Sequence, residues 1–320
     1  MLIPGPFRRS PLCLPMLAVM LGCARAAEAP PRDAETPEAV APVSEPVAND
    51  VPDDARGARL YDNWRGEKEI GDAFVPDSAR TPELDGKGGP NGNGTLDDGD
   101  GRPLPNTGHD YRLKNLFGWD LRGARGVYGP NHQNKAFVLA HDLLSEPRSE
   151  QELRAFLAGG TDGVPAYGAV LDDKDIEDLT AFLAKTRSGA LAGPDAIFRL
   201  EPAAPKSYVL HPGGDAARGR ARFQRTCADC HGADGTKIAI DETESVGTLS
   251  RAAGYEVWFK ILHGQPGTAM GRQVAESEPS AQARAILDLF ATLCDRAAFP
   301  ARAGAEDVPD GDPRCGAYLR

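Results

Sequence analysis

The residues at positions 227–231 are the part of the sequence best suited to chemistry. Cys227 and Cys230 stand three residues apart, and His231 follows directly. This C-x-x-C-H pattern is typical of covalent haem attachment, because two thiols one helical turn apart can bond two vinyl groups while the adjacent imidazole ligates iron. A redox dithiol and half of a zinc site are the alternatives, but the other cysteines are poorly spaced for zinc. The pattern predicts one haem c per chain.

Met270 is the candidate for the second iron ligand. The other three methionines stand at positions 1, 16 and 20, so we expect them to leave with an export signal. Met270 lies in a glycine-rich segment, 267–271, whose backbone can approach a haem face closely. His263 is the competing ligand, but it ends a predicted amphipathic helix over 255–262, where we expect it to cap or pack. The predicted iron ligands are therefore His231 and Met270.

Residues 214–298 resemble the class I c-type cytochrome family. Gly219 and Phe223 precede the haem motif, as in the N-terminal helix of that family. An apolar stripe at helical spacing follows, as in its C-terminal helix, formed by Ile286, Leu287, Phe290 and Leu293. The resemblance implies that these two helices cross at a glycine. It also implies His/Met ligation with no open iron position, which favours electron transfer over substrate chemistry.

A second segment, residues 57–190, resembles the same family. Residues 57–61 match residues 219–223, each stretch with a glycine followed four positions later by an aromatic residue. A predicted helix over 172–185 has Asp172 as its N-cap and an apolar face. It corresponds to the C-terminal helix of the later segment. An unrelated helical domain is the alternative interpretation.

The haem ligands are missing from this earlier segment. Residues 111–120 resemble the C-x-x-C-H-G-W-D stretch of dihaem periplasmic cytochromes, and residues 163–168 resemble a methionine-bearing loop. The ligand positions hold apolar side chains instead: Leu113 and Leu116 for the cysteines, Phe117 for the histidine and Val164 for the methionine. The resemblance implies a domain whose haem cavity has been refilled with hydrocarbon, since an empty cavity would be costly.

A long loop-rich insertion separates the first predicted helix from residues 111–120. Its glycine-rich run at 85–101 partly imitates a calcium-binding loop, but a flexible polar loop is the default interpretation. His109, His132 and His141 are candidates for a noncovalent haem or metal site. We expect them instead to be ordinary surface or packing residues.

The N-terminus predicts export. Arg8 and Arg9 precede a short apolar stretch, so residues 1–23 are interpreted as a signal peptide. Residues 20–23 resemble a bacterial lipobox that would leave Cys23 lipidated, whereas an Ala-x-Ala site at 24–26 would remove it. These features predict the periplasm of a Gram-negative bacterium, with a lipoprotein anchor. Residues 24–56 are rich in Pro, Ala and acidic residues, which predicts a disordered tether.

The charge balance argues against nucleic-acid binding. The 320 residues include 36 Lys and Arg against 47 Asp and Glu, a formal net charge of −11. No apolar run reaches the ~18 residues that a membrane-spanning helix needs. Four arginines precede the haem motif closely in the sequence: Arg218, Arg220, Arg222 and Arg225. They could form a docking patch for an acidic partner or a solvated helix face.

Two further cysteines lie near the C-terminus. Cys294 falls near the end of the last predicted helix, and Cys315 lies in a tail rich in Pro, Gly and Asp. In an oxidising compartment these two are candidates for a disulfide that pins the tail, 301–320, to that helix.

Together these features predict a mainly α fold with two class I cytochrome c-like helical domains in tandem. The predicted domains are 57–190, without haem, and 214–300, with haem, joined by a linker at 191–213. The expected function is one-electron transfer between protein donors and acceptors in the periplasm, with the first domain as a docking module. The alternatives are a cytochrome subunit of a larger membrane-associated oxidoreductase and a thiosulfate dehydrogenase-like haem enzyme.

Overall fold

Helices dominate the structure, as predicted. The computed structural model describes residues 51–68, 95–97, 103–105, 112–129, 138–161, 164–169, 171–240 and 243–320. The α-helices are α1 (Asp54–Lys68), α2 (Leu113–Phe117), α3 (Glu150–Gly159), α4 (Asp173–Arg187), α5 (Ala216–Thr226), α6 (Ala228–His231), α7 (Val246–Ala252), α8 (Gly254–His263) and α9 (Pro279–Leu293). Two antiparallel hairpins add β1 (Thr95–Asp97) with β2 (Pro103–Pro105), and β3 (Phe198–Leu200) with β4 (Tyr208–Leu210). We call the chain from α1 to α4, with its connecting segments, the first half, and the chain from α5 to α9 the second half.

One crossing helix pair organises each half: α1 with α4, and α5 with α9. Both crossings occur at a glycine. A Cβ atom added to Gly57 would lie 1.9 Å from the Asp178 carbonyl oxygen, and one added to Gly219 would lie 1.8 Å from the Asp288 carbonyl oxygen. The absence of a side chain therefore lets each pair of backbones touch, as the resemblance implied for the second half.

The same polar bonds reinforce both crossings. In the first half, the Asp53 N–H and the Arg56 guanidinium donate to the Asp178 carboxylate at 2.8 and 2.7 Å. The equivalent bonds of the second half, each 2.7 Å, join Asp215 and Arg218 to Asp288. Because Asp178 and Asp288 are both buried, these charge-assisted bonds hold each helix pair in one register.

Local capping explains where α4 begins. Asp172 accepts from the Asp175 N–H at 2.9 Å, and Asp175 accepts in return from the Asp172 N–H at 3.0 Å. This capping box confirms the predicted N-cap. The predicted helix over 255–262 is also present, as α8, with one further residue at each end.

Helix α8 contacts the first half through both apolar and charged side chains. Its Phe259 ring lies 5.2–5.9 Å, between centroids, from Trp119, Phe182 and Tyr61 of the first half. On the polar side, Lys260 forms an ion pair with Asp62 of α1. Both predicted domains therefore belong to one compact unit over residues 49–320.

The predicted linker at 191–213 contains the β3–β4 hairpin and packs against the second half. Its β3–β4 hairpin buries Phe198 and Tyr208 against α8. The Tyr208 hydroxyl accepts from the Gly254 N–H at 2.6 Å, and the Trp258 indole donates to the Ala192 carbonyl at 3.0 Å. Hydrogen bonds to the first and middle turns of α8 thus fix this segment.

The C-terminal tail is also tied down. Cys294 and Cys315 form a disulfide, and the fully buried Arg251 of α7 donates two 2.7 Å bonds to Asp307. The Tyr318 hydroxyl accepts from the Gly214 N–H at 2.7 Å just before α5. The tail therefore links α7, α9 and the segment that precedes α5.

The predicted boundary between tether and first domain lies three residues too late. Helix α1 begins at Asp54, because Asp53 accepts from the N–H groups of Ala55 and Arg56 at its first turn. The predicted signal peptide, Cys23 and residues 24–50 lie outside the described residues. Across the part of the chain that is described, no helix is both long and apolar enough to cross a membrane.

Candidate haem-binding site

The C-x-x-C-H residues lie on the turn that follows α5. The Cys227 N–H donates to the Phe223 carbonyl at 2.9 Å, and the His231 N–H donates to the Cys227 carbonyl at 2.9 Å. Phe223 is buried against Phe299, with 4.6 Å between ring centroids, so the core anchors this turn. Both thiols are free, with Cys227 half-buried and Cys230 exposed.

His231 presents an imidazole suited to ligating a metal. Its Nδ1 atom is buried and has no hydrogen-bond partner among the described residues. Burial lowers the pKa of this imidazole below its ordinary value, so the ring is neutral at physiological pH. A neutral imidazole is the form that binds metals. A buried polar atom without a partner is uncommon in folded proteins, so this ring is not committed to another side chain or carbonyl at Nδ1.

The thiol environment does not favour redox dithiol chemistry. Burial raises the pKa of Cys227, although a hydrogen bond with Thr226 and the charge of Arg222 act in the opposite direction. Reactive dithiols need a lowered thiol pKa. Among the described residues no three His, Cys, Asp or Glu side chains come together as a metal-ligand group, and a His/Met-ligated haem iron does not require one.

Met270 lies in a closed loop after α8, residues 264–271, which we call the Met270 loop. The Gln265 N–H donates to the Met270 carbonyl at 2.8 Å, and the Met270 N–H donates to the Thr268 hydroxyl at 3.1 Å. The Met270 side chain is half-buried. Two internal bonds thus close the loop, and Met270 keeps some solvent-accessible surface.

The start of this loop has a counterpart in the first half. Gly160 ends α3 and Gly264 ends α8, with φ angles of 65° and 98° that favour glycine. A Cβ on Gly160 would lie 2.5 Å from the Val164 carbonyl oxygen, and one on Gly264 would lie 2.4 Å from the Met270 carbonyl oxygen. In each half the glycine after the helix thus contacts a later carbonyl, that of Val164 four residues on and that of Met270 six residues on.

The short helices α2 and α6 end in the same way. The residue after α2, Gly118, has φ 75° and ψ 162°, and the residue after α6, Gly232, has φ 82° and ψ 162°. The equivalent side chains differ in exposure. In the first half they are buried: Leu113, Leu116, Phe117 and Val164. In the second half, the thiols, the imidazole and the thioether all retain solvent-accessible surface.

The four arginines near the haem motif are largely engaged within the protein. Arg218 binds Asp288 at 2.7 Å, Arg222 pairs with Glu276, and Arg220 donates to the Ala298 carbonyl at 3.2 Å. Arg225 is exposed. The structure therefore uses three of the four to hold α5 against its neighbours.

Of the other histidines proposed as ligands and the calcium-like loop, the structure describes His141 and a short part of the loop. His141 packs in the first half, with its Nδ1 2.8 Å from Glu146 and its ring near Phe117 and Phe156. His109 and His132 lie outside the described residues, as does most of the 85–101 run. Its described part, Thr95–Asp97, is β1.

His263 is buried among aromatic rings, as the expectation of packing implied. Its ring centroid lies 4.7 Å from that of Phe259 and 5.1 Å from that of Phe182. Burial lowers the pKa of His263 to about 3, with the charges of Arg272 and Arg59 acting in the same direction. The folded protein therefore keeps this histidine neutral over most of the acid range.

This burial predicts an acid-dependent loss of stability. The unfolded chain binds a proton on His263 below its ordinary pKa of 6.5, whereas the folded chain does so only near 3. Stability contributed by the neutral ring is thus complete above pH 6.5 and is lost as the pH falls toward 3. We expect His263→Gln to make the slope of unfolding free energy against pH shallower by about 1.4 kcal/mol per pH unit between pH 4 and 6.

Denaturant unfolding at several pH values measures this slope. The matched control is the same exchange at His211, whose ring bonds the Asp195 carbonyl at the surface. Equal slopes for the wild type and His263→Gln would contradict the prediction.

A further repeated motif has a structural role that the sequence alone did not indicate. The pattern Asp-x-x-Arg-Gly occurs at 53–57 and at 215–219, and its Asp and Arg residues make the bonds that reinforce both helix crossings. Comparison of the chain with protein-family models, curated proteins and solved structures finds no match in any of the three. The function proposed below rests on these residues and their geometry.

Proposed function

We propose that this chain is a monohaem c-type cytochrome that carries single electrons between protein partners. One observation carries the proposal: the same backbone framework occurs twice, and only its second copy has thiols, an imidazole and a thioether at the equivalent positions. The unpartnered, buried Nδ1 of His231 supports a missing group at this site.

The residues of the second half fit a covalently attached haem. Cys227 and Cys230 would hold it through two thioether bonds, and His231 and Met270 would ligate its iron. A haem with these ligands supplies one reversible electron and has no open iron position. The chain's own residues do the rest. Helix α6, which follows α5 directly, would fix the imidazole, and the Met270 loop would present the thioether.

The first half fits a cytochrome-like domain that has lost its haem. Its α2 side chains and Val164 are buried in one hydrophobic cluster with apolar residues of α1, α3 and α4. The Tyr61 hydroxyl donates to the Gly118 carbonyl at 2.5 Å at the end of α2. These contacts support a role for this half as a rigid protein module, and not as a second redox centre.

The proposed location is the periplasm, on the strength of the export features of the sequence. A lipid on Cys23 would anchor the chain to a membrane, and the acidic tether would separate the folded unit from the bilayer. The proposed partners are a protein electron donor and a protein electron acceptor.

Replacement of Met270 tests the proposal. We expect Met270→Ala to eliminate the weak far-red band that the family resemblance predicts for ferric, Met-ligated haem, because the thioether is lost. The matched control is Val164→Ala, at the equivalent loop position of the first half, which should keep the band. Visible spectra of the purified ferric proteins measure both results.

Two results would overturn the proposal. One is a Met270→Ala spectrum identical to that of the wild type. The other is ready binding of carbon monoxide by the ferrous wild type or of cyanide by the ferric wild type at neutral pH, because an accessible iron position would indicate ligand or substrate chemistry.

A further inference from the structure

The Met270 loop lies against α1 of the first half. A Cβ on Gly267 would lie 2.5 Å from the Gly66 carbonyl oxygen, so the two backbones are in contact. The Gly267 N–H also points at the Glu67 carboxylate, 3.4 Å away. The apex of the loop therefore rests on the last turn of α1, a part of the protein that does not contribute a predicted haem ligand.

Both ends of the loop are bound to the same helix. Arg59 donates to the His263 carbonyl at 3.2 Å, just before the loop begins. Arg272, just after it, forms an ion pair with Asp54 and donates to the Leu262 carbonyl at 3.0 Å. We call Asp54, Arg59, Gly66 and Glu67 the α1 clamp.

Charge keeps the clamp closed at neutral pH. Burial alone would raise the pKa of Asp54, but hydrogen bonds from Lys185 and Arg272 outweigh it and bring that pKa below its ordinary value. The carboxylate is therefore ionised, and each of its two cations is held. Arg59 is fixed from the other side by two bonds of 2.9 and 3.0 Å to the buried Glu67.

The clamp residues are not part of the repeated framework. Asp53, Arg56 and Gly57 have the same residue types at 215, 218 and 219. By the same alignment, Asp54 and Arg59 correspond to Ala216 and Ala221. The residues that hold each helix crossing are shared between the halves, whereas those that hold the Met270 loop occur in the first half alone. This difference indicates that α1 has a role that α5 does not have.

We infer that α1 of the first half holds Met270 in its iron-ligating position, with Asp54 and Arg59 as positioning residues. The inference rests on the proposed role of Met270 as a ligand. It gives the first half a function without haem, one that acts through the Met270 loop.

The physical reason is the conformational freedom of the loop. Gly264, Gly267 and Gly271 fall within eight residues, so an unsupported loop would sample many states in which the thioether has left its position. Contacts with α1 restrict those states. An external ligand can bind only when Met270 has left, so its apparent dissociation constant is inversely proportional to the population of that state.

Imidazole binding to the ferric, full-length protein measures this population. We expect Asp54→Asn and Arg59→Gln each to lower the apparent dissociation constant of imidazole about tenfold, because each removes a partly buried charge-assisted bond. Asp54→Asn combined with Arg272→Gln should change the affinity by less than the two single changes added together, since both break the same ion pair. Loss of the far-red band during the titration reports the exchange.

Two variants control for general destabilisation. Lys174→Gln removes an ion pair with Asp178 and a bond to the Val51 carbonyl, and Lys68→Gln removes the ion pairs of α1 with Asp172 and Asp175. Both lie on the α1–α4 side and do not bind the Met270 loop. They should lower the thermal midpoint as the clamp variants do, while leaving imidazole affinity at the wild-type value.

The outcomes separate the inference from the proposed function. If Asp54→Asn and Arg59→Gln bind imidazole with the same affinity as the wild type, the inference that α1 positions Met270 is wrong, while ligation by Met270 stands. Equal shifts in the two control variants would also overturn it. If the wild type binds imidazole as tightly as Met270→Ala does, the ligand assignment itself fails. Should Asp54→Asn not fold, Arg59→Gln decides the question.

Discussion

Cys227→Ser combined with Cys230→Ser should abolish covalent haem attachment. These are the two free cysteines among the described residues, because Cys294 and Cys315 are joined to each other. Without a thiol on α6, no thioether bond can form, and the expected loss is complete. Each single variant should retain one thioether bond. Haem staining of the denatured protein and the mass of the intact chain measure both results.

The first half offers a matched control for this experiment. Leu113→Met combined with Leu116→Met changes the two equivalent positions while nearly conserving volume. This variant should keep the full haem content, because α2 is proposed to bind none. Covalently bound haem in the double serine variant would contradict the assignment of the attachment site.

Gly57→Ala and Gly219→Ala should each destabilise the protein strongly. The added methyl group would lie within 2 Å of a carbonyl oxygen of the partner helix. The helices must then separate, and the bonds of Asp178 or Asp288 must stretch with them. We expect each variant to lose about 3 kcal/mol of unfolding free energy. Denaturant unfolding of the full-length chain measures the loss.

Gly159 provides the control for these substitutions. It lies at the end of α3, and a Cβ atom there meets nothing within 4 Å. Gly159→Ala should be neutral or slightly stabilising, because alanine favours a helix more than glycine does. If all three variants unfold alike, close backbone contact is not what holds the crossings.

Local patterns in the sequence were enough to predict several features. The cap of α4 depends on Asp172 and Asp175, three residues apart, and the mainly α fold follows from apolar periodicity. The glycines at 57 and 219 also stand out, because each precedes an aromatic residue by one helical turn.

Contacts between distant residues could not be predicted in this way. Residues 53–56 are predicted to belong to the disordered tether because the segment that they end is rich in Pro, Ala and acidic residues and lacks hydrophobic periodicity. In the structure, Asp54 binds Lys185 and Arg272, which lie 131 and 218 positions away. Nothing local to Asp54 indicates either partner. The packing of the β3–β4 hairpin is of the same kind, because Phe198 and Tyr208 lie against α8, which is distant in the sequence.

The clamp inferred for α1 depends on these long-range contacts. Sequence comparison of the two halves shows which ligands differ, and it led to the expectation of a docking module. The positions of Arg59 and Asp54 beside the ends of the Met270 loop suggest a different use for the first half. A positioning role predicts that Asp54→Asn and Arg59→Gln change the affinity for imidazole, whereas a docking role by itself predicts no change.

The number and location of haem groups test the central claim most directly. Pyridine haemochrome analysis of the purified full-length protein, with mass mapping of its peptides, should find one haem per chain. That haem should be attached to the peptide containing Cys227 and Cys230. Two haem groups per chain, or a chain without covalent haem after expression with a cytochrome c maturation system, would contradict the claim.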